Sequence, residues 1–282
     1  MLVRIWGCRG SLATPGRDTL RYGGNTTCVE VECDDGTRVV LDAGTGIRAL
    51  GRKLASNGSG EIHVCLTHLH LDHIEGIGFF PPIFDPATVV HLWGPRSSVR
   101  SLDERLARYL SAPLFPVELG DLPARFVFHD VLDDPWEIGG VRIQAAPVSH
   151  PGPTVGYRME ADGVSLAFLP DHEPAVGVEL DHLTSDWISG FTLAEDVDLL
   201  IHDAQYTDDE YLDHVGWGHS SVSQAVSFGA VTGARRLVLF HHDPQHTDDD
   251  LDVHQARARE LWQGSDAPPE LAYEGMELSL QR

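Results

Sequence analysis

Four side chains of types that bind metal ions lie close together near position 70. They are His68, His70, Asp72 and His73, spaced His-x-His-x-Asp-His. Residues 62–66, directly before them, form an apolar run that predicts a buried strand. Neutral imidazole and carboxylate groups suit zinc, manganese or iron. The segment therefore predicts a metal site on a tight loop after a strand, rather than a histidine-rich surface loop.

Three more candidate ligands follow apolar runs further along the chain. His150, Asp171 and His241 each stand at the carboxyl end of a predicted strand, where sheet-based folds present functional groups. Two ions at the spacing used in catalysis, about 3.5–4 Å, need a shared ligand and several histidines. Together with the first motif, these residues predict a centre for two divalent ions. By contrast, His63 and His91 alternate with apolar residues in predicted strands, which indicates structural roles.

The elements that must position these residues follow from hydrophobic periodicity. Strands occur in two batches interleaved with helices, which is typical of two sheets flanked by helices. No linker, repeat or low-complexity tract interrupts the sequence, so we predict a single domain over 1–282. The predicted strands are 2–7, 27–33, 37–42, 61–66, 88–92, 125–129, 136–148, 154–160, 163–169, 197–201, 235–240 and 276–280, and the predicted helices are 46–56, 96–110, 220–231 and 248–262, with a helix or turn following 74–76.

The composition limits the class of partner. Asp and Glu number 43 against 20 Lys and Arg, a formal net charge of −23, and such a chain repels polyanions. We therefore expect no extended nucleic-acid partner, although a small anionic substrate fits because bound divalent ions dominate the local field. No apolar run approaches the ~20 residues that span a bilayer. A cytoplasmic location without a membrane partner is expected, and a homodimer is an open alternative.

The order of the candidate ligands resembles that of the metallo-β-lactamase superfamily, in which the His-x-His-x-Asp-His motif precedes a lone His, a lone Asp and a lone His. The resemblance implies an α/β fold, the αββα sandwich of two mixed sheets flanked by helices. It implies a hydrolase with two divalent ions, zinc first and manganese or iron as alternatives, and an Asp42 that steadies the histidine loop. By the same resemblance one ion is held by His68, His70, His150 and Asp171, and the other by Asp72, His73, Asp171 and His241, with Asp171 bridging.

Shorter stretches resemble one branch of that superfamily. Residues 7–11 and 22–26 look like the opening of the phosphodiesterase branch, which includes ribonuclease Z and the cyclic phosphodiesterases of phosphonate breakdown. Residues 202–204, 218–221 and 239–242 resemble late elements of ribonuclease Z, in the same order. The resemblance therefore implies phosphodiester chemistry.

The sequence departs from ribonuclease Z in three respects. Asp203 stands where ribonuclease Z has a glutamate. His242 lies beside His241, which leaves open which of the two binds metal. The Gly- and Lys-rich arm by which ribonuclease Z grips tRNA is not found in this sequence. Together with the acidic charge, the missing arm favours a small substrate over tRNA.

The predicted catalytic residues are Asp72, His219 and Asp203. Two bound ions would lower the pKa of a shared water and supply hydroxide to attack phosphorus. His219 precedes a Ser-Ser pair that signals a helix N-cap, and the free amides of a helix start attract anions. We therefore expect His219 to contact phosphate and act as general acid, with Asp203 orienting it. Trp217 is interpreted as a packing residue more readily than as a stacking surface for a base.

The leading hypothesis is a phosphodiesterase that acts on a small cyclic or short nucleotide-like phosphodiester. One alternative is a glyoxalase- or lactonase-like hydrolase on the same fold. Another is a metal-bound sensor or scaffold without catalysis, which the full ligand set disfavours. Glyoxalase-like members tend to carry Gly-His-Thr at the third motif, whereas His150 lies in Val-Ser-His-Pro-Gly, and this difference favours the phosphodiesterase.

Overall fold

The described strands form two sheets, and the last strand of the chain returns to join the first sheet. The computed structural model describes residues 1–56, 60–131, 134–263 and 267–281. Its strands are β1 (Leu2–Gly7), β2 (Cys28–Glu32), β3 (Arg38–Leu41), β4 (Glu61–Cys65), β5 (Val89–Pro95), β6 (Arg125–Val131), β7 (Trp136–Ile138), β8 (Val141–Pro147), β9 (Val155–Ala161), β10 (Val164–Leu169), β11 (Leu199–Asp203), β12 (Leu237–Phe240), β13 (Glu270–Leu271) and β14 (Glu277–Ser279). One sheet has the order β14-β1-β2-β3-β4-β5-β6, and the other has the order β13-β12-β11-β10-β9-β8-β7.

Helices cover the outer faces of the two sheets. The α-helices are α1 (Ile47–Ser56), α2 (Leu71–Ile74), α3 (Leu102–Ala107), α4 (Phe191–Ala194), α5 (Asp208–His214), α6 (Val222–Val231) and α7 (Asp248–Leu261). Apolar side chains fill the space between the sheets, a second layer packs α1 against the first sheet, and a third packs α6 and α7 against the second. The predicted αββα sandwich is therefore confirmed. In the described ranges, none of these helices is long and apolar enough to cross a membrane.

Three predicted elements differ from the structure. The strand predicted at 136–148 is a hairpin of β7 and β8, because the chain turns at Gly139, whose φ of 54° lies in the left-handed region that suits glycine. The helix predicted at 96–110 is confined to α3, where the Ser101 amide donates to Glu104 Oε2 at 3.0 Å and fixes the helix start. The helix or turn expected after 74–76 begins earlier, as α2 inside the histidine motif.

The strands that precede the candidate ligands end at one edge of the molecule. In the second sheet, β10, β11 and β12 are parallel neighbours. Strand β8 runs in the same direction, because β8 and β10 are both antiparallel to β9. The loop after β4 joins this edge through the Tyr157 hydroxyl, which donates to the Leu66 carbonyl at 2.6 Å. The Val155 amide adds a second link by donating to the Thr67 carbonyl at 2.9 Å.

Candidate metal centre

A buried aspartate at the end of β3 holds the histidine motif in place. Asp42 is fully buried and adopts a φ of 58°. Its carboxylate accepts hydrogen bonds from the Thr67 amide at 2.7 Å and the Thr67 hydroxyl at 2.9 Å. It also accepts from His73 Nδ1 at 2.8 Å. Asp42 thereby orients the His73 ring so that its Nε2 faces the candidate centre.

The first group of candidate ligands combines three histidines and an aspartate. The ligand atoms of His68, His70, His150 and Asp171 all lie within 4.8 Å of one another. His68 Nε2 and His150 Nε2 are each 3.7 Å from Asp171 Oδ2. His150 Nδ1 donates to the Gly218 carbonyl at 3.0 Å, so His150 Nε2 is the acceptor atom, and it lies 3.2 Å from His70 Nδ1 within the group.

The second group faces the other oxygen of the same aspartate. Asp72, His73 and His241 also place their ligand atoms within 4.8 Å of one another. Asp72 Oδ2 is 3.2 Å from both His73 Nε2 and His241 Nε2. Asp171 Oδ1 lies 3.0 Å from His73 Nε2 and 3.3 Å from His241 Nε2. Asp171 therefore stands between the groups with one oxygen toward each.

The donor atoms of the centre fit divalent ions. His68 Nε2, His73 Nε2 and Asp171 Oδ1 are buried, and none has a hydrogen-bond partner among the described residues. A buried polar atom without a partner costs free energy. Coordination of an ion would satisfy all three atoms at once. Imidazole nitrogen with carboxylate oxygen is also the donor set that zinc, manganese and iron accept.

The electrostatics of the centre favour charged carboxylates. Burial by itself would raise the pKa of the Asp171 carboxyl, but the facing rings of His241 and His73 hold it well below its usual range. Burial lowers the pKa of His150 to about 4, so this ring is neutral at neutral pH. Burial acts in the same direction on His241, yet Asp171 and Asp72 outweigh it and raise the pKa to about 9. A cation at this position would neutralise the carboxylates in place of that proton.

The structure brings His241 into the centre and turns His242 away from it. His241 adopts a left-handed φ of 60° at the end of β12, and its Nδ1 pairs with the Gln205 side-chain oxygen at 3.0 Å. A Cβ on Gly10 would lie 2.4 Å from the His241 ring, so only glycine fits there. His242 Nε2 instead donates to the Ala272 carbonyl at 2.8 Å.

We predict that His241→Ala loses one of the two ions, whereas His242→Ala keeps both. The reason is that His241 Nε2 faces the carboxylates of Asp72 and Asp171, whereas His242 Nε2 donates a hydrogen bond to the Ala272 carbonyl. Elemental analysis of dialysed protein checks this ranking, with the melting temperature of each variant as the control for folding. The opposite ranking would mean that His242 is the ligand and that the register at the end of β12 is shifted by one residue.

His219 and Asp203 form the contact that the sequence predicted. His219 Nδ1 donates to Asp203 Oδ2 at 2.6 Å, and the Asp203 side chain is fully buried. The amides of Gln205 and Ser220 each donate to Asp203 Oδ1 at 3.0 Å, which fixes the carboxylate. The His219 ring stacks on His241 with centroids 5.0 Å apart. Its Nε2 is thus left for a substrate at the edge of the metal centre.

The expectation of free amides at the following helix is wrong. Ser221, rather than Ser220, caps α6. The amides of Ser220, Ser221 and Val222 all donate to acceptors within the protein. These donors are therefore not offered to an anion, and the imidazole of His219 is the group at this position that can contact a phosphate.

Sequence reasoning missed Glu173, a fully buried carboxylate next to the centre. It accepts hydrogen bonds from the amides of Gly216 and Gly218 at 3.0 Å and from the Tyr211 hydroxyl at 2.6 Å. These bonds hold the loop that presents His219. The available signal was that Glu173 lies two residues after Asp171. Two of its partners are glycine amides, which leave no side-chain pattern to detect.

A cavity of about 420 Å³ opens beside His219. Tyr206 and His214 stack in its wall with ring centroids 4.5 Å apart. Trp217 is 59% exposed, and its ring meets the His214 ring edge-on with centroids 4.7 Å apart. Glu210 and Asp243 add negative charge, and none of the described residues in the lining is Lys or Arg.

The chain is similar to known sequences over most of its length. Residues 37–242 match the family described as Beta-lactamase superfamily domain. The chain is similar to ribonuclease Z of Myxococcus xanthus (strain DK1622), with 28% identity covering 86% of this chain and 88% of that protein. It is also similar to ribonuclease Z of Mycobacterium marinum (strain ATCC BAA-535 / M), with 28% identity over 73% and 76% of the two chains.

Solved structures share the fold at low sequence identity. The metallo-beta-lactamase fold protein YhfI from Bacillus subtilis has a TM-score of 0.69 at 18% identity, covering 98% of each chain. A diphosphatase of the PhnP family has a TM-score of 0.68 at 19% identity, covering 99% of this chain and 98% of that one. The short form of human tRNase Z has a TM-score of 0.63 at 20% identity, covering 99% of both.

Proposed function

The chain belongs to the beta-lactamase superfamily, and from that premise we propose that it is a two-metal phosphodiesterase acting on a small cyclic or short nucleotide-like phosphodiester. The membership and the ribonuclease Z relatives make it a metal-dependent hydrolase. The observation that carries the finer proposal is Asp171, with one oxygen toward each ligand group and the His219–Asp203 pair alongside. We further propose that both ions are zinc and that 1–282 form one domain.

The residues divide the work of hydrolysis among them. His68, His70 and His150 would hold one ion, His73, Asp72 and His241 would hold the other, and Asp171 would bridge them. When bound, two divalent ions lower the pKa of a shared water and neutralise charge on the phosphoryl oxygens. His219 Nε2 delivers a proton to the leaving oxygen. Asp203 keeps the His219 ring oriented through the 2.6 Å hydrogen bond.

The cavity beside His219 supports a small substrate with a planar group. Trp217, which is 59% exposed, offers an aromatic surface on which a base can stack. The acidic lining, from Glu210 and Asp243, disfavours further phosphates near the one that reacts. The net charge of −23 acts in the same direction over the whole surface. A single phosphodiester attached to a nucleoside matches these properties better than a long RNA.

The proposal is tested with zinc-loaded enzyme on a panel of substrates. We expect hydrolysis of bis-p-nitrophenyl phosphate and of nucleoside cyclic phosphates, with far slower turnover of a thioester, a lactone and a precursor tRNA. Faster thioester or lactone hydrolysis would favour the glyoxalase-like alternative. Efficient cleavage of the precursor tRNA would contradict the small substrate, and no turnover of any compound would favour the non-catalytic sensor.

The role of the cavity is tested in the same assay with Trp217→Ala. Stacking of a base on an aromatic ring is worth ~1–3 kcal/mol, so kcat/KM for adenosine 2′,3′-cyclic phosphate should fall by about 5- to 150-fold. The matched substrate, ribose 2,3-cyclic phosphate, lacks the base and should be unaffected. Trp187→Ala is the control, because Trp187 is 77% exposed but does not line the cavity. Equal losses on both substrates would contradict stacking.

A further inference from the structure

We propose that Glu61, His63 and His91 form a third metal site, separate from the centre described above, which takes one divalent ion such as Zn²⁺ or Cu²⁺. The ligand atoms of these three residues lie within 4.8 Å of one another. Glu61 opens β4, whereas the histidine motif follows the end of that strand. The strand therefore separates Glu61 from the motif by about 13 Å.

The sheet register brings the two histidines together. Strands β4 and β5 are parallel, and His63 pairs directly with His91. The two rings stack with centroids 4.5 Å apart and an interplanar angle of 20°. Glu61 lies two residues before His63 and so projects from the same face of the strand. The three side chains thus form a row on one face of the sheet, near the start of β4.

The hydrogen bonds of both rings leave the same nitrogen unused. His91 Nδ1 pairs with His129 Nε2 at 2.9 Å, and His63 Nδ1 accepts from Trp93 Nε1 at 3.3 Å. The atom left in each ring is Nε2. His91 Nε2 is buried and has no partner among the described residues, which is unfavourable unless a ligand satisfies it.

The donor set suits a transition metal. Two imidazoles and one carboxylate, with water in a fourth position, match the preferences of Zn²⁺ and Cu²⁺. Burial lowers the pKa of His63 to about 4, so the ring is neutral and able to bind at neutral pH. Ligand atoms of a tetrahedral zinc site lie roughly 3.4 Å apart. The three side chains, whose ligand atoms lie within 4.8 Å of one another, must therefore move slightly closer together when the ion binds. Binding through His63 Nε2 also requires the ring proton to move from Nε2 to Nδ1. The 3.3 Å hydrogen bond from Trp93 Nε1 to His63 Nδ1 is then lost.

Isothermal titration with Zn²⁺ tests the site in full-length protein whose catalytic centre already holds two equivalents. The wild type should bind a third equivalent. Glu61→Gln and His91→Ala should each lower the affinity for the third Zn²⁺ by at least about 10-fold. Loss of a residue that only hydrogen-bonds to a metal ligand already lowers metal affinity by about 10–100-fold. His182→Ala is the control, because His182 is an exposed histidine at the end of a short 3-10 helix, away from this row.

Two results would overturn the proposal: a wild type that stops at two equivalents, and variants that retain the third event unchanged. Glu61 is exposed, so Glu61→Gln tests the site without disturbing the core. Phosphodiester hydrolysis should be the same in Glu61→Gln and wild type, which keeps this test independent of the proposed activity. Paramagnetic resonance of one added Cu²⁺ equivalent should show coupling to two imidazole nitrogens in wild type and to fewer in His91→Ala.

Discussion

Asp171→Ala is expected to release both metal ions and to abolish hydrolysis together. The Asp171 carboxylate directs Oδ2 at the group of His68 and His150 and Oδ1 at the group of His73 and His241. Its removal takes one ligand from each ion and leaves two imidazole pairs without their shared counter-charge. We expect the rate to fall by at least about 10³-fold, because water activation and electrostatic stabilisation are lost at once. Elemental analysis and a phosphodiesterase assay on the same preparation check this result.

Asp42→Asn is the matched control for that experiment. Asp42 accepts from His73 Nδ1 but does not reach the ligand groups. Loss of this hydrogen bond to a metal ligand should lower the affinity for metal by about 10–100-fold. Excess zinc should therefore restore activity. Asp171→Ala should not recover in excess zinc. A wild type that is fully active with at most one ion per chain would contradict the two-metal mechanism.

The metal centre could be predicted because its signals are local in sequence. The spacing of His68, His70, Asp72 and His73 fits into one loop, and apolar runs mark the strand ends at which the other candidates stand. The carboxyl ends of β8, β10 and β12 share one edge of the sheet. Placing residues at strand ends therefore placed them near each other without knowledge of the full topology.

The rest of the site depends on contacts between distant segments. Glu173 binds amides 43 and 45 residues away, and backbone amides carry no sequence signature. The start of α6 was expected to offer free amides, but Ser220 donates to a carboxylate that comes from β11. The hairpin of β7 and β8 differs from the single predicted strand because the Gly139-Gly140 pair, a turn signal that hydrophobic alternation does not capture, reverses the chain. In each case a tertiary hydrogen bond or turn decides what periodicity leaves open.

His219→Ala is expected to slow alkyl and nucleoside diesters by roughly 10²–10⁴-fold, the usual range for general acid catalysis. An alkoxide of high pKa cannot depart without a proton, whereas a nitrophenolate leaves readily. Nitrophenyl diesters should therefore slow much less. Both ions should remain bound: His219 lies near Asp171 and His241, but its Nδ1 already donates to Asp203 at 2.6 Å.

The pattern across substrates, rather than the size of any one loss, identifies the role of His219. His182→Ala is the control, because His182 is an exposed histidine that does not line the cavity. It should not change the dependence on the leaving group. Equal losses on nitrophenyl and alkyl diesters would assign His219 to phosphate binding instead of proton transfer. Unchanged rates on every diester would remove His219 from the reaction and leave its hydrogen bond to Asp203 with a purely structural role.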